Sequence, residues 1–258
     1  MRNILAVAGK ELRAYFHSPI AYLIMTVYGL IYGGVFYGLT KSFISQMFRM
    51  EAMGGMGAPP MSVNEYIIHQ ILDFVMTYVL FFLIPLITMR LFAEEKRSGT
   101  IELLLTSPLT DMQIILGKFL GALALFAVLE AITFLYFTVL FVYGNPNAKP
   151  LIAGALGFLL YGAALLALGM WFSTFTKNQI IAGAVGLAVF LLLFLLDWVT
   201  AYSSGVVGRV MAYLALTTHF DNFSKGVIDL SDLVYYLSVV AFGIFMTARS
   251  VEALKGRP

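Results

Sequence analysis

The chain has 258 residues, of which 60% are hydrophobic and 12% charged, with a net charge of +2 and a mean hydropathy of +0.89. Soluble domains carry about 25% charged residues, so this composition excludes a water-soluble globular protein and predicts an integral membrane protein. There is no cysteine, which excludes disulfides and thiolate metal sites, and no basic block stands apart from the membrane-flanking loops, which argues against a nucleic-acid partner.

In chain order, residues 1–17 place Ile4, Leu5, Ala8, Leu12, Tyr15 and Phe16 at spacings near one helical turn, with Arg2, Lys10, Glu11 and Arg13 elsewhere on the wheel. This pattern predicts an amphipathic helix in the membrane interface, its cations available to lipid phosphates. Apolar runs follow at 20–39, 71–89, 117–142, 151–172, 180–196 and 233–248, each of roughly the length that crosses about 30 Å of hydrocarbon as a helix. The first lacks a small-residue cleavage site and is expected to be retained. The sequence thus predicts an all-α polytopic membrane protein with six transmembrane helices. Alternate flanks hold eleven Lys and Arg on one side and five on the other, which predicts that both termini and the loop between the second and third runs are cytoplasmic.

Gly54, Gly55, Gly57, Pro59 and Pro60 break the first outer loop. Before and within the break, Met47, Met50, Met53 and Met56 recur every third residue. Thioethers at that spacing suit Cu(I), but methionines beside Phe43, Ile44 and Phe48 serve as adaptable apolar contacts, and no metal site is expected. In the third run Glu130 falls near mid-membrane, where a carboxylate is expensive and is expected to face the bundle. It either contacts a polar substrate group or proton, or hydrogen-bonds a neighbouring helix through Thr133, Tyr136 or another hydroxyl. Glycines at 29, 33, 34 and 38, at 154, 157, 162 and 169, and at 183 and 186 predict close helix packing. Tyr28, Tyr32, Phe36 and Tyr37 either line a path between subunits or face lipid. Residues 200–231 form a long outer loop with Val206, Val210, Tyr213 and Leu214 on one helical face, and with Asp221, Asp229, Asp232, His219 and Lys225 as a polar rim, a helix cap being expected at Ser231 or Asp232.

The most charged window, residues 94–106, lies between the second and third runs. A short helix is expected there over 95–105, with Ile101, Leu104 and Leu105 on one side, ended by Ser107-Pro108. Thr110 and Gln113 have capping-box spacing for the helix that follows. Gly117-Lys118 only superficially ends a phosphate-binding loop, since the earlier glycine and the following Ser or Thr are missing, so no ATP site of that kind is expected. His17, His69 and His219 belong to no metalloenzyme pattern, and no catalytic residue is expected.

The run EEKRSGTIELLLTSPLTDMQIILGK resembles the signature of the type 2 export permeases of the ATP-binding-cassette transporters. Lys10-Glu11-Leu12-Arg13 with Ser18-Pro19-Ile20-Ala21-Tyr22, and Thr218-His219-Phe220 with Lys225-Gly226-Val227-Ile228-Asp229, resemble the gliding-motility permease branch. The resemblance implies that 1–17 is an elbow helix, that 94–106 is a coupling helix, and that 200–231 re-enters the outer leaflet. It further implies a pair of cytoplasmic ATPase subunits that carry ATP and Mg, no cofactor in this chain, a second permease subunit as dimer partner, and an inner-membrane location. Glu94, Glu95, Lys96, Arg97, Gly99, Thr100 and Glu102, supported by Arg13, are the expected coupling contacts. A mechanotransmission module without cargo and an ATPase-independent channel or lipid scramblase are the alternative readings.

Overall fold

The computed structural model describes residues 2–52, 62–143, 146–202 and 205–255. Every regular element among them is helical, as backbone groups in hydrocarbon require when their only partners lie within the segment. Helix α1 (Arg2–His17) meets α2 (Pro19–Ala52) at Ser18. Next come a π-helical turn (Asn64–His69), α3 (Gln70–Phe74), a second π turn (Val75–Val79) and α4 (Leu80–Thr88). Two short helices, α5 (Ala93–Ser98) and α6 (Thr100–Leu105), precede α7 (Asp111–Tyr143), α8 (Ala148–Ser173) and α9 (Gln179–Tyr202). The last are α10 (Gly205–Leu214), α11 (Asp221–Ser224) and α12 (Leu230–Lys255).

Five of the described helices, α2, α7, α8, α9 and α12, are long and apolar enough to cross a membrane. The run expected at 71–89 differs. It is helical from Asn64 to Thr88 but changes pitch three times, and Pro85 lies inside α4; a π turn inserts a residue into the ladder and proline removes a donor, so this stretch is no uniform rod. By contrast α2 and α7, with 34 and 33 residues, are each about 50 Å long, some 20 Å more than the hydrocarbon thickness.

Helix α8 is the central post. Within its apolar window 72% of residues are buried, against 17% for α9 and 22% for α2, and α4, α7, α9, α11 and α12 all pack on it. Its glycines permit this approach: a Cβ on Gly162 would come within 2.2 Å of Phe126 of α7, on Gly157 within 2.5 Å of Phe223 of α11, and on Gly169 within 2.4 Å of Thr88 of α4. In α2 the stripe behaves differently, since Gly33 meets Tyr136 but Gly34 and Gly38 face open space. Tyr28, Tyr32 and Phe36 are buried against α7 within the protomer, whereas Tyr37 is exposed. The Tyr28 and Thr133 hydroxyls are hydrogen-bonded at 2.5 Å, and Tyr136 donates to the Gly29 carbonyl at 3.0 Å.

Helix α1 lies across the base of α7. The packed face is centred on Val7, Glu11 and Tyr15, while Leu5, placed on the apolar side by spacing, is 66% exposed. The cause is the Gly117/Gly121 pair, which opens a slot on α7: a Cβ at either position would lie within 2.7 Å of Val7 or Glu11. At the start of α7, Gln113 N donates to Thr110 Oγ1 and Thr110 N to Gln113 Oε1, each at 3.3 Å, closing a capping box.

Candidate functional site

The chain between α4 and α7 is pinned on its inner side. Phe92 N and Ala93 N both donate to Ser173 Oγ, at 3.0 and 3.1 Å, and Ser173 Oγ donates to the Met89 carbonyl at 3.3 Å. One buried serine at the end of α8 thereby satisfies the two leading amides of α5, which have no partner inside their own helix. Lys96 Nζ donates to the Thr174 carbonyl. Arg90 grips Glu94 with two prongs, Nε to Oε2 at 2.8 Å and Nη2 to Oε1 at 3.3 Å, while Nη1 donates to Ser18 Oγ at 3.2 Å. Beside it Tyr15 donates to the Ile87 carbonyl at 3.1 Å, and burial, with Glu11 nearby, pushes its phenol far above the ordinary range.

The centre of this inner side is Lys118, on α7. Its side chain is 2% exposed, with Nζ 2.9 Å from Glu11 Oε1 and 2.8 Å from Glu95 Oε1, and 5.4 Å above the Phe92 ring. A buried ammonium is tolerated only when paired and hydrogen-bonded. Here it joins three elements, α1, α5 and α7, at one point. Glu95 Oε2 is buried without a hydrogen-bond partner, so Lys118 is what holds that carboxylate in place.

The outer side is a free tip. Gly99 takes φ 73°, a left-handed conformation favoured by glycine, and it splits the stretch into α5 and α6. The single helix expected over 95–105 is therefore two, meeting at a corner. Arg97, Gly99, Thr100 and Glu102 are exposed around this corner, with Leu103 at 73% exposure. The residues singled out by sequence thus separate into two groups: Glu94 pairs with Arg90, Glu95 with Lys118 of α7, and Lys96 with the Thr174 carbonyl just past α8, whereas Arg97, Gly99, Thr100 and Glu102 face outward. Arg13 is exposed on α1, with no hydrogen bond or ion pair among the described residues.

The model of the family described as ABC-2 family transporter protein matches residues 5–248. The chain belongs to this family. It is a multi-pass membrane protein and a permease component of an ABC transporter. No curated protein matches the chain, and the family match does not single out the gliding-motility branch.

Elsewhere in this ABC-2 permease, Glu130 is 8% exposed and accepts no hydrogen bond among the described residues. The two hydroxyls expected to serve it, Thr133 and Tyr136, turn to α2 instead. Replacing Glu130 with methionine is accordingly expected to stabilise the isolated chain by about 1–3 kcal/mol, the cost of an unsatisfied buried polar group; a lower melting temperature for Glu130→Met would show that the carboxyl has a structural partner. Met47 is exposed and Met50 half-buried near the C-terminal end of α2, whereas Met53 and Met56 lie outside the described residues.

At the opposite end from the 94–106 loop, the expected acidic rim is partly a buried cluster. Asp232 is 4% exposed and paired to His219, so it is not the helix cap. That role falls to Asp229, whose Oδ1 accepts from Ser231 N at 2.9 Å, and hydrogen bonds from Ser231 hold its carboxyl below the usual range. Ser173 was not singled out by sequence, and Glu11, Lys118 and Asp232 were named there only in other roles. Lys118 alone carried a signal of burial: it lies within α7, one residue into the apolar run 117–142, where a lysine has to bury its head or snorkel.

Proposed function

We propose that the chain is the membrane subunit of an ATP-driven exporter, energised by a separate pair of cytoplasmic ATPase subunits that bind ATP and Mg and dock on the Arg97–Leu103 corner. The supporting observation is the two-sidedness of this loop: an exposed charged tip mounted on a buried network that ties it to α1, α7 and α8. Force on the tip is delivered through Lys118 and Arg90 to the bases of α7 and α4. In this reading the 64–88 segment crosses the membrane as the sixth span, both termini are cytoplasmic, the membrane is the inner one, and two permease subunits, identical or sibling, flank the path. Arg13 supports the docking surface from α1.

The test is co-purification of the tagged chain from its native membrane. A nucleotide-binding protein is expected to accompany it. The double variant Arg97→Glu, Glu102→Lys is expected to weaken that association about tenfold, roughly 1.4 kcal/mol, without lowering the chain's own melting temperature, because neither side chain has an internal ion pair among the described residues. Association unaffected by the reversal moves the contact away from the corner. No associated ATPase in either form favours the channel or scramblase reading.

A further inference from the structure

Between α2 and the 64–88 segment lies a cleft that no part of the coupling scheme uses. The two stretches run antiparallel and are fastened at both ends. At the base Arg90 Nη1 donates to Ser18 Oγ at 3.2 Å. At the far end the Tyr66 and Ser42 hydroxyls are hydrogen-bonded at 2.9 Å, and the Tyr66 ring packs on Phe43 with centroids 5.6 Å apart. In between they part: α2 packs on the 64–74 stretch, whereas α4 packs on α8 and α9. The gap measures about 410 Å³, with Leu23, Val27 and Ile31 on one wall and Tyr78, Phe82 and Leu86 on the other, all six exposed. Tyr28, which also borders it, spends its hydroxyl on Thr133 of α7.

Chemistry and width decide what fills such a cleft. Apolar walls give nothing to a sugar, an ion or a peptide backbone, whose polar groups would lose water without gaining a partner. A second copy's helix fits poorly, because helices approach closely in hydrocarbon where small residues line the contact, and every lining residue here is Leu, Ile, Val, Phe or Tyr. The open glycines of α2, Gly34 and Gly38, lie outside it. From Leu23 to Ile31 a helix rises about 12 Å, so the volume corresponds to a cross-section of about 35 Å², less than half the roughly 80 Å² of a helix about 10 Å across. Packed carbon atoms sit about 4 Å apart, which gives a hydrocarbon chain a cross-section of about 16–20 Å² and the cleft room for a pair of them.

We propose that this cleft is a binding site for the paired acyl chains of one diacyl phospholipid, which enters sideways from the bilayer and seats between α2 and residues 74–86. The proposal rests on the reading that the 64–88 segment crosses the membrane. Two chains on one headgroup bind as a unit, the second at high effective concentration once the first is seated. The site therefore prefers a diacyl lipid to a single-tailed amphiphile, although both offer the same hydrocarbon.

That preference supplies the experiment. The full chain, purified in a single-tailed detergent, is given phosphatidylcholine with a photoactivatable group midway along one acyl chain, and the labelled residues are read by mass spectrometry. Labelling along the cleft is expected to saturate as the lipid fraction of the micelle rises, and to be displaced by unlabelled phosphatidylcholine at a fraction about tenfold lower than lysophosphatidylcholine requires. Labelling at Val185, exposed on α9, is expected to rise in proportion without saturating. Val27→Trp, which fills the cleft, is expected to cut cleft labelling about tenfold, or about 1.4 kcal/mol, and to melt like the parent. Leu23→Trp, at the end of the cleft, takes its place where Val27→Trp fails to fold. Cleft labelling that rises linearly, that persists in the Trp variants, or that lysophosphatidylcholine displaces as readily overturns the proposal. So does a disulfide joining two copies through Phe82→Cys in the otherwise cysteine-free chain with no saturable lipid labelling, which gives the cleft to a second subunit. The reading beneath the proposal has a separate check. Phe82→Cys in native membranes is expected to resist a membrane-impermeant thiol reagent; ready reaction takes the 64–88 segment out of the hydrocarbon, and the proposal falls with it.

Discussion

Replacing Lys118 with methionine is expected to destabilise the chain by about 3–5 kcal/mol, the cost of removing one partner from a buried charge pair and leaving the other uncompensated. The effect is large because two carboxylates depend on this ammonium, Glu11 at 2.9 Å and Glu95 at 2.8 Å, and because the second oxygen of Glu95 has no hydrogen bond to fall back on. The triple variant Lys118→Met, Glu11→Gln, Glu95→Gln is expected to recover most of the loss, as apolar or neutral replacements of a buried ionic group often do. Melting of the purified parent, single and triple variants checks both points. If the single variant melts like the parent at neutral pH, the buried network is not what holds the loop to α1 and α7.

Gly243→Val is expected to cost about 3 kcal/mol or more, at the upper end of overpacking effects. A Cβ at this position would stand 2.7 Å from the Ala167 carbonyl carbon, 2.8 Å from its Cβ and 2.9 Å from its oxygen. Two of these three atoms are backbone, so the obstruction cannot be relieved by a rotamer change, and α12 must move away from α8. Ala167→Gly in the same chain removes only the Cβ contact and is expected to rescue the variant in part. Gly34→Ala is the control, because nothing lies within 4 Å of its Cβ position, and its melting temperature is expected to stay near the parent's. Equal losses at Gly34 and Gly243 would show that glycine content, rather than the α8–α12 approach, sets the stability.

The features legible in the sequence are those fixed by the solvent or by local covalent rules. Apolar runs announce α2, α7, α8, α9 and α12 because hydrocarbon leaves few alternatives, and Thr110 with Gln113 announces the start of α7 because a capping box needs only residues three apart. The density of charge from Glu94 to Glu102 marks the loop for the same reason. What it conceals is which charges are spent internally: nothing in the local pattern distinguishes Glu95, which meets Lys118, from Glu102, which meets water. Gly99 is ambiguous in a helical pattern until its φ is known, and one corner there changes a straight rod into a bent one. The His219–Asp232 pair joins residues across a loop, so neither periodicity nor capping rules reach it. Tyr28, Tyr32 and Phe36 show the limit of composition, since the same aromatic stripe suits a channel wall and a packed seam.

The centrality of α8 also orders events in time. A chain emerges N-terminus first, so α2, the 64–88 segment and α7 are made before Ala148–Ser173 exists. Until then Phe126 and Thr88 have only lipid where Gly162 and Gly169 will later receive them. Arrival of α8 converts loosely associated spans into a core, and α12, the last to be made, completes it at Gly243. The half-made permease is therefore most vulnerable in the interval before its fourth long apolar segment is synthesised.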